Sequence, residues 1–414
     1  MNHDAIIIGA GFAGLTAGLR LAQSGQRVLV LAKGVGATHL SPATIDVLGY
    51  LDGRVESPAT AVRKVPSGHP YARIGRRRLQ AAVEWLRASV PELGYVGGLR
   101  ENVLLPTAVG VAKPSALVPE TMAGGDLRLG GRFAFVGFRG LKDFYPAYLA
   151  DNLEHAATVR ARALELDSGD EGDVSALALA ARFEEPDFPR FVVAELRRIL
   201  PGERVGLPAV LGLRNSHTVW RELEEALRRP VFEVPTLPPS VSGIRLFEAL
   251  KESLRRAGGR LVVGDTVVGA ETNGRRVEGV VAKTAARAVT YGAKRFVLAT
   301  GGFASAGLEL DSFGVVREPV FELPVASLPA PGEPRFSPGY FDHHPVGRAG
   351  VAVDERLRPT DAGGRAVYEN LHAAGAILAG AEPWKEASGN GISLASGFAA
   401  AEAILEEEQE RPAA

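Results

Sequence analysis

Cysteine is absent from all 414 residues. That excludes disulfides, zinc–thiolate centres, cysteine-ligated iron–sulfur clusters and a thiol nucleophile, so any iron–sulfur relay must belong to another chain. Long apolar runs are missing too: no stretch approaches the ~18–20 residues that crossing a bilayer requires. Nor is there an excess of one charge. Forty-seven Lys and Arg stand against 48 Asp and Glu, a formal net charge of −1, which leaves no electrostatic footprint for nucleic acid. The arginines are spread along the chain, and the short cluster Arg76-Arg77-Arg78 reads as a solvated helix start. There is no repeat of fixed period and no low-complexity tract. What remains is the composition of an ordinary globular protein, 46% hydrophobic and 23% charged, long enough for two or three domains.

Against that plain background the N-terminus stands out. Ala5-Ile6-Ile7-Ile8 is a buried-strand run, Gly9-Ala10-Gly11-Phe12-Ala13-Gly14 a tight glycine turn, residues 15–24 a helix closed by Gly25, and residues 27–31 a second strand. The apolar run lacks a basic flank and leads straight into the turn, so it reads as a strand rather than a signal peptide. Strand, G-x-G-x-x-G, helix, strand is the spacing of a dinucleotide-binding unit. The glycines let a pyrophosphate approach the backbone, and the helix start offers free N–H groups and a positive dipole end. One element is missing: where the second strand ends, an acid should hold the adenosine ribose, and Ala32-Lys33 stands there instead. The adenosine part of the ligand is then held differently or is not present.

The rest of the chain alternates. Residues 34–48 form a loop carrying Thr38, His39, Ser41 and Thr44; 78–89 read as a helix, and 102–111 as a strand pair around Pro106. Strands over 133–137, 158–166 and 230–234, with an apolar, glycine-marked strand or loop over 205–213, alternate with helices over 141–155, 187–200 and 219–228, which implies a second parallel α/β unit inserted into the first. At Ser240 the chain returns. An amphipathic helix over 244–257 precedes short antiparallel strands at 260–263, 267–272, 277–283 and 288–291. A buried strand over 294–300 follows, ending in Ala299-Thr300-Gly301-Gly302. Residues 324–339 are a proline-rich extended crossover. A late strand at 371–374 and a helix over 391–407 finish the fold, with Glu406-Glu407-Glu408 as solvated surface. The expected fold class is thus α/β: a Rossmann-like FAD/NAD(P)-binding fold with an inserted second α/β domain and a β-meander. The domain boundaries follow as 1–50, 240–310 and 365–414 for the discontinuous cofactor domain, 51–239 for the insertion and 311–364 for the crossover.

Three segments would then converge at the carboxyl edge of one sheet, where ligands bind: the turn at Gly9, Gly11 and Gly14; the strand end at Thr300 and Gly301; and Leu371-His372-Ala373-Ala374-Gly375-Ala376 with Ser388-Gly389-Asn390-Gly391 opening the last helix. Amides at that helix start could face an electron-rich ring.

This layout resembles the two-dinucleotide-binding-domain flavoproteins. Within them it is similar to the B-subunit family of anaerobic glycerol-3-phosphate dehydrogenases, over nearly the whole chain. The likeness rests on Ala37-Thr38-His39-Leu40-Ser41, Ile45-Asp46-Val47-Leu48, His69-Pro70-Tyr71, Leu105-Pro106-Thr107, Gly137-Phe138-Arg139-Gly140-Leu141 with Asp143-Phe144, and Leu357-Arg358-Pro359. Its strongest part is Pro235-Thr236-Leu237-Pro238-Pro239-Ser240-Val241-Ser242-Gly243-Ile244-Arg245-Leu246. The resemblance implies a flavoprotein carrying FMN, or alternatively FAD, in a quinone-linked enzyme that oxidises sn-glycerol 3-phosphate to dihydroxyacetone phosphate. It also implies two partners in the same complex, an FAD-bearing A subunit and an iron–sulfur, membrane-anchoring C subunit. The chain would then be cytoplasmic and peripheral to the inner membrane. Ala376 replaces the aspartate usual in the late strand of the wider group. With Ala32 it leaves three options open: FMN, FAD held by other groups, or a degenerate site in a chain that serves only non-catalytic assembly. A pyridine-nucleotide reductase would need a second glycine turn, and Gly137-Phe138-Arg139-Gly140 is only a partial match.

The expected cofactor contacts are Gly9, Gly11, Phe12, Ala13, Gly14, Ala32, Lys33, His39, Ser41, Thr300, Gly301, Gly375, Ala376 and Gly391. Oxidation of an alcohol needs a base for the hydroxyl proton, and His39 and His343 are the candidates, with His344 beside the latter; each also has the plainer reading of a hydrogen-bonded loop or surface histidine. A substrate phosphate calls for arginine, whose planar fork donates two parallel hydrogen bonds. Arg245, Arg317 and Arg348 are the candidates, with Arg139 and Lys142 as an alternative anion site in the insertion. No metal site is expected.

Overall fold

The computed structural model describes residues 3–156, 159–169, 172–197, 202–330 and 332–410. The chain opens with strand β1 (His3–Ile8), helix α1 (Phe12–Gln23) and strand β2 (Val28–Ala32). Helix α2 (Arg76–Ser89) is followed by β3 (Val103–Pro106), β4 (Ala112–Ser115), β5 (Arg132–Phe138), α3 (Pro146–Ala156) and β6 (Arg160–Leu166). Next come α4 (Asp187–Leu196), β7 (Glu203–Pro208), α5 (Ser216–Leu227), β8 (Val231–Val234) and α6 (Val241–Arg256). Strands β9 (Arg260–Val263), β10 (Thr266–Asn273), β11 (Arg276–Lys283), β12 (Ala288–Leu298) and β13 (Leu371–Ala373) precede a short helical turn α7 (Pro383–Glu386) and the last helix, α8 (Gly389–Gln409).

Two compact units result: Met1–Ala37, Ala59–Ser89 and Leu250–Ala414 form the first, Thr38–Pro58 and Val90–Ala249 the second. These limits differ from the expected ones, because residues 59–89 and 311–364 fall in the first unit and 38–50 and 240–249 in the second.

The first unit is built on a sheet of order β9-β2-β1-β12-β11-β10, with β13 also paired to β12. Strands β1, β2, β12 and β13 run parallel, and their apolar residues (Ile6, Ile7, Val30, Val297) are fully buried, as strands covered on both faces must be. Strands β10, β11 and the first half of β12 form the antiparallel meander. Two expectations change. Strand β9 pairs parallel with β2, because it returns through a helix, and a helical crossover delivers a parallel strand. The strands expected at 288–291 and 294–300 are one continuous strand. It pairs with β11 up to Gly292 and with β1 from Ala293. Within 324–339 the described residues form one two-residue strand, Val325–Ala326, set against Gly350–Val351.

Helix α8 lies close on α1: a Cβ at Gly397 would sit 2.3 Å from the Ala13 carbonyl oxygen. The acidic end of α8 is not all solvated. Glu407 is buried, with Arg295 Nη2 at 3.1 Å and the buried His372 Nε2 at 3.6 Å. Burial alone would raise the Glu407 carboxyl, but His372 and Arg295 outweigh it and hold its pKa below the usual value. His372 is lowered by its complete burial, against the pull of Glu407.

The second unit is a parallel sheet of order β8-β7-β5-β6. Its core centres on Phe133, Phe135 and Phe232, with Phe232 edge-on to the other two at 5.9 and 6.0 Å. Helix α3 starts at Pro146, later than expected, since proline suits a first helical position and not an interior one. The pair near Pro106 turns over 107–111, with Gly110 at φ +75°, and its second strand is Ala112–Ser115. Of the helix expected over 187–200, 198–200 lie outside the described residues, as does 158 of the strand expected at 158–166.

Candidate functional site

The parallel strands bring their carboxyl ends to one edge. Gly9 N–H donates to Leu31 O at 2.8 Å, Ala299 N–H to Ile8 O at 2.8 Å, and Ala374 N–H to Leu298 O at 2.9 Å. The glycine turn, the Thr300-Gly301 end and the Gly375 end therefore meet, as their order along the chain implied.

The three glycines of the turn have different work. Gly9, at φ +112°, has its Cβ position 2.2 Å from Ala299 O, and Gly14 has its own 2.0 Å from Gly9 O. Both are demanded by close backbone packing. Gly11 is extended (φ −68°, ψ 178°), a conformation any residue adopts, and a Cβ there meets nothing within 4 Å. Its lack of a side chain serves no internal contact and keeps a space open at the mouth of α1. That mouth has no side-chain cap and no acid in its first turn, so the amides that a helix start leaves unpaired remain available. Phe12 and Ala13, in that turn, are buried. After β2 the loop folds back until a Cβ at Gly36 (φ +70°) would lie 2.8 Å from Gly11 Cα. Ala32 is buried and Lys33 exposed, so no carboxylate stands at the end of β2.

The other two strand ends add to this cradle. Thr300 Oγ1 is buried without a hydrogen-bond partner among the described residues. Gly301 (φ +82°) turns the chain, and a Cβ at Gly302 would lie 3.0 Å from Ala376 O. Gly375 N–H is held by Ser396 Oγ at 2.8 Å, and its Cβ position is 2.8 Å from Ala13 Cβ. Ala376 is exposed. Gly391 is buried in the first turn of α8, which also lacks an acid and a side-chain cap. Two uncapped helix starts, an open position at Gly11 and an orphaned buried hydroxyl fit an anionic, hydrogen-bonding cofactor.

Other expected residues have protein contacts of their own. His39 and Ser41 belong to the second unit. There the His39 ring is edge-on to Phe247 at 4.8 Å, its carbonyl accepts from Ser240 N–H at 2.8 Å, and Ser41 Oγ accepts from Ala43 N–H at 3.2 Å. Arg245 is buried, and its fork is taken by Glu233: Nη1 to Oε2 at 2.7 Å and Nη2 to Oε1 at 2.9 Å, with Nε donating to Gly212 O at 2.7 Å. Each of its three nitrogens is committed to protein, so Arg245 is a structural ion pair and a phosphate would have to displace a buried carboxylate. Arg139 and Lys142 form exposed ion pairs with Asp167 at 3.1 Å and Asp173 at 2.6 Å. Arg317 is exposed, 4.0 Å from Asp311.

His343 and Arg348 do come together, through a residue the sequence did not single out. Glu382 is buried. Its Oε2 lies 2.6 Å from His343 Nδ1 and 3.9 Å from Arg348 Nε. One turn on, Glu386 Oε2 is 3.1 Å from His69 Nε2 and accepts from Ser388 Oγ at 2.8 Å. His69 Nδ1 accepts from Tyr71 N–H at 3.1 Å, so the ring proton is on Nε2 and is donated to Glu386. Burial raises the Glu386 carboxyl, but the bonds from His69, Glu382 N–H and Ser388 hold it below the usual value. Of the Glu386 partners, the sequence had singled out His69, within the motif His69-Pro70-Tyr71, and Ser388, at the opening of the last helix.

A β-α-β unit with an open glycine turn, completed by two later strand ends, places the chain among the Rossmann-like flavoprotein oxidoreductases. The family model described as an FAD binding domain matches residues 4–392. Among known relatives, the B subunit of a probable anaerobic glycerol-3-phosphate dehydrogenase from Halobacterium salinarum is 33% identical, over 98% of both chains. The B subunit of the anaerobic glycerol-3-phosphate dehydrogenase from Pectobacterium atrosepticum is 34% identical over 98% of this chain and 99% of that one. The chain belongs to this B-subunit family. A solved structure, 3-ketosteroid delta1-dehydrogenase from Sterolibacterium denitrificans, superposes over 98% of this chain and 100% of that one with a TM-score of 0.49 at 14% identity. Among the described residues no helix is long and apolar enough to cross a membrane, and no group of three or more His, Asp or Glu could hold a metal ion.

Proposed function

We propose that this chain is the flavin-bearing B subunit of an anaerobic sn-glycerol-3-phosphate:quinone oxidoreductase, and that its flavin is FAD. In this reading it oxidises glycerol 3-phosphate to dihydroxyacetone phosphate. Electrons pass to quinone through an FAD-bearing A subunit and an iron–sulfur C subunit, which also keep the chain at the membrane. The observation that carries the reading is Gly11, whose missing side chain leaves open space at an uncapped helix mouth. The FAD match across residues 4–392 supports the larger flavin. Ala32 at the end of β2 favours a second reading, FMN, which needs no ribose acid.

The amides of Phe12, Ala13 and Gly14 would hold the phosphates, Thr300 Oγ1 would bond the cofactor from the second strand end, and Gly375, Ala376 and Gly391 would border it from the third. When bound, a flavin accepts the two electrons of a hydride. The chain's own tasks are then to orient the substrate and take a proton. Arg348 suits the substrate phosphate: its terminal nitrogens have no partner among the described residues, and it neighbours the same carboxylate as His343.

Purified protein should be yellow. Heat release followed by mass determination should give FAD; FMN would select the second reading. A colourless protein that takes up neither flavin would sink both and leave a chain with a non-catalytic assembly role.

A further inference from the structure

We propose that Glu382 is a positioning residue that makes His343 the proton acceptor of alcohol oxidation; this deepens, and rests on, the reading above. A buried carboxylate needs partners, and those of Glu382 are drawn from one loop. His343 Nδ1 approaches Oε2 at 2.6 Å and His344 N–H approaches Oε1 at 3.4 Å. The carboxylate can only accept, so Nδ1 carries a proton and, in the neutral ring, Nε2 is the nitrogen with the lone pair. The His343 side chain is 71% exposed while that of Glu382 is 2% exposed, so the basic nitrogen is presented outward from a fixed anchor. This is the base-and-orienter arrangement that general-base catalysis uses.

Both halves of the pair are held. Glu382 N–H donates to Glu386 Oε1 at 2.9 Å, and Glu386 is tied to His69 and to Ser388, the residue that precedes α8. On the other side Ser337 Oγ donates to His343 O at 2.5 Å, and Lys385 Nζ reaches Phe341 O. The pair is thus fixed to the segment that opens α8, one border of the proposed cradle.

The step balances. Oxidising a secondary alcohol to a ketone removes a hydride from carbon and a proton from oxygen. The hydride, with its electron pair, would be taken by the flavin of the functional reading. The proton goes to His343 Nε2, and the positive charge it creates is met by Glu382.

The test uses the flavin-loaded full chain with its natural partners, glycerol 3-phosphate and a dye acceptor. Glu382→Gln should retain flavin and leave KM within about threefold, while kcat falls about 10²-fold. His343→Gln should lose a similar factor, and the double variant should lose no more than His343→Gln alone, because the two act as one unit. Nitrogen-15 NMR should find the His343 proton on Nδ1 in the unaltered protein. Wild-type kcat in Glu382→Gln, losses that multiply in the double variant, or a proton on Nε2 would each overturn the proposal. If Glu382→Gln fails to fold, His343→Gln at an exposed position and the NMR assignment still decide. An unaltered complex that binds flavin but does not oxidise glycerol 3-phosphate would fail the functional reading itself; turnover unaffected by Glu382→Gln would fail only the positioning role.

Discussion

Gly11 and Gly14 occupy one motif, yet substituting them should damage different properties. A Cβ at Gly14 would lie 2.0 Å from Gly9 O, while one at Gly11 meets nothing within 4 Å. Gly14→Ala must push backbone apart, a cost on the order of 1–3 kcal/mol or more by analogy with overpacked cores. At roughly 2–4 °C per kcal/mol for a domain of this size, it should melt several degrees lower. Gly11→Val adds no internal clash; it exchanges one N-cap residue for a poorer one, worth about 1 kcal/mol. Its branched side chain would instead fill the space where phosphate meets the α1 amides. Hydrogen bonds to charged groups contribute ~1.5–3 kcal/mol each, so losing two weakens flavin binding by about 10²–10⁴-fold. The assay pairs a thermal melt with visible flavin absorbance per protein. Compared as flavin-stripped proteins, Gly11→Val should melt close to the native chain yet fail to turn yellow when flavin is added, and Gly14→Ala should melt lower but turn yellow. Full flavin in Gly11→Val, or equal melting losses in both variants, would refute the argument that Gly11 is a ligand position.

Two further expectations concern buried charge. Arg245→Ala should destabilise the protein by ~3–5 kcal/mol, because Glu233 would be left buried and unpaired; Arg245→Met with Glu233→Met should recover most of that loss, and denaturant midpoints distinguish the two. The buried His372 has its pKa lowered, so as pH falls below ~6.5 the unfolded chain binds a proton that the folded one refuses, and stability declines. Glu407 is also lowered, so its contribution, complete above the unfolded value, is lost at still lower pH as the folded value is crossed. Urea titrations from pH 8 to about 2 should show both windows, and His372→Phe should flatten the first by up to ~1.4 kcal/mol per pH unit; an unchanged slope there would contradict the burial argument.

The legible parts of this protein were the local ones. An apolar run, a glycine turn and a closing glycine lie within thirty residues, and the strand–helix alternation of the second unit is equally local. Features made by distant contacts were not. Arg245 read as a phosphate ligand because it follows a turn, yet Glu233 carries a signal that points the other way: a lone acid in the apolar strand Val231–Val234 needs a buried cation. Glu407 hid in an acidic run although Ala400, Ala403, Ile404 and Glu407 share one buried helix face, a spacing that predicts burial. The pairing of His343 with Glu382 leaves no such trace, since neither position is periodic and 39 residues separate them.

Strand β12 serves two pairings within one sheet, handing over at Gly292 and Ala293 from the meander to the parallel core. It therefore behaves as a ruler. Adding or removing one residue between the meander turn and Thr300 would invert every later side chain on the strand, so the length of a remote surface hairpin dictates whether a hydroxyl arrives at the cradle at all.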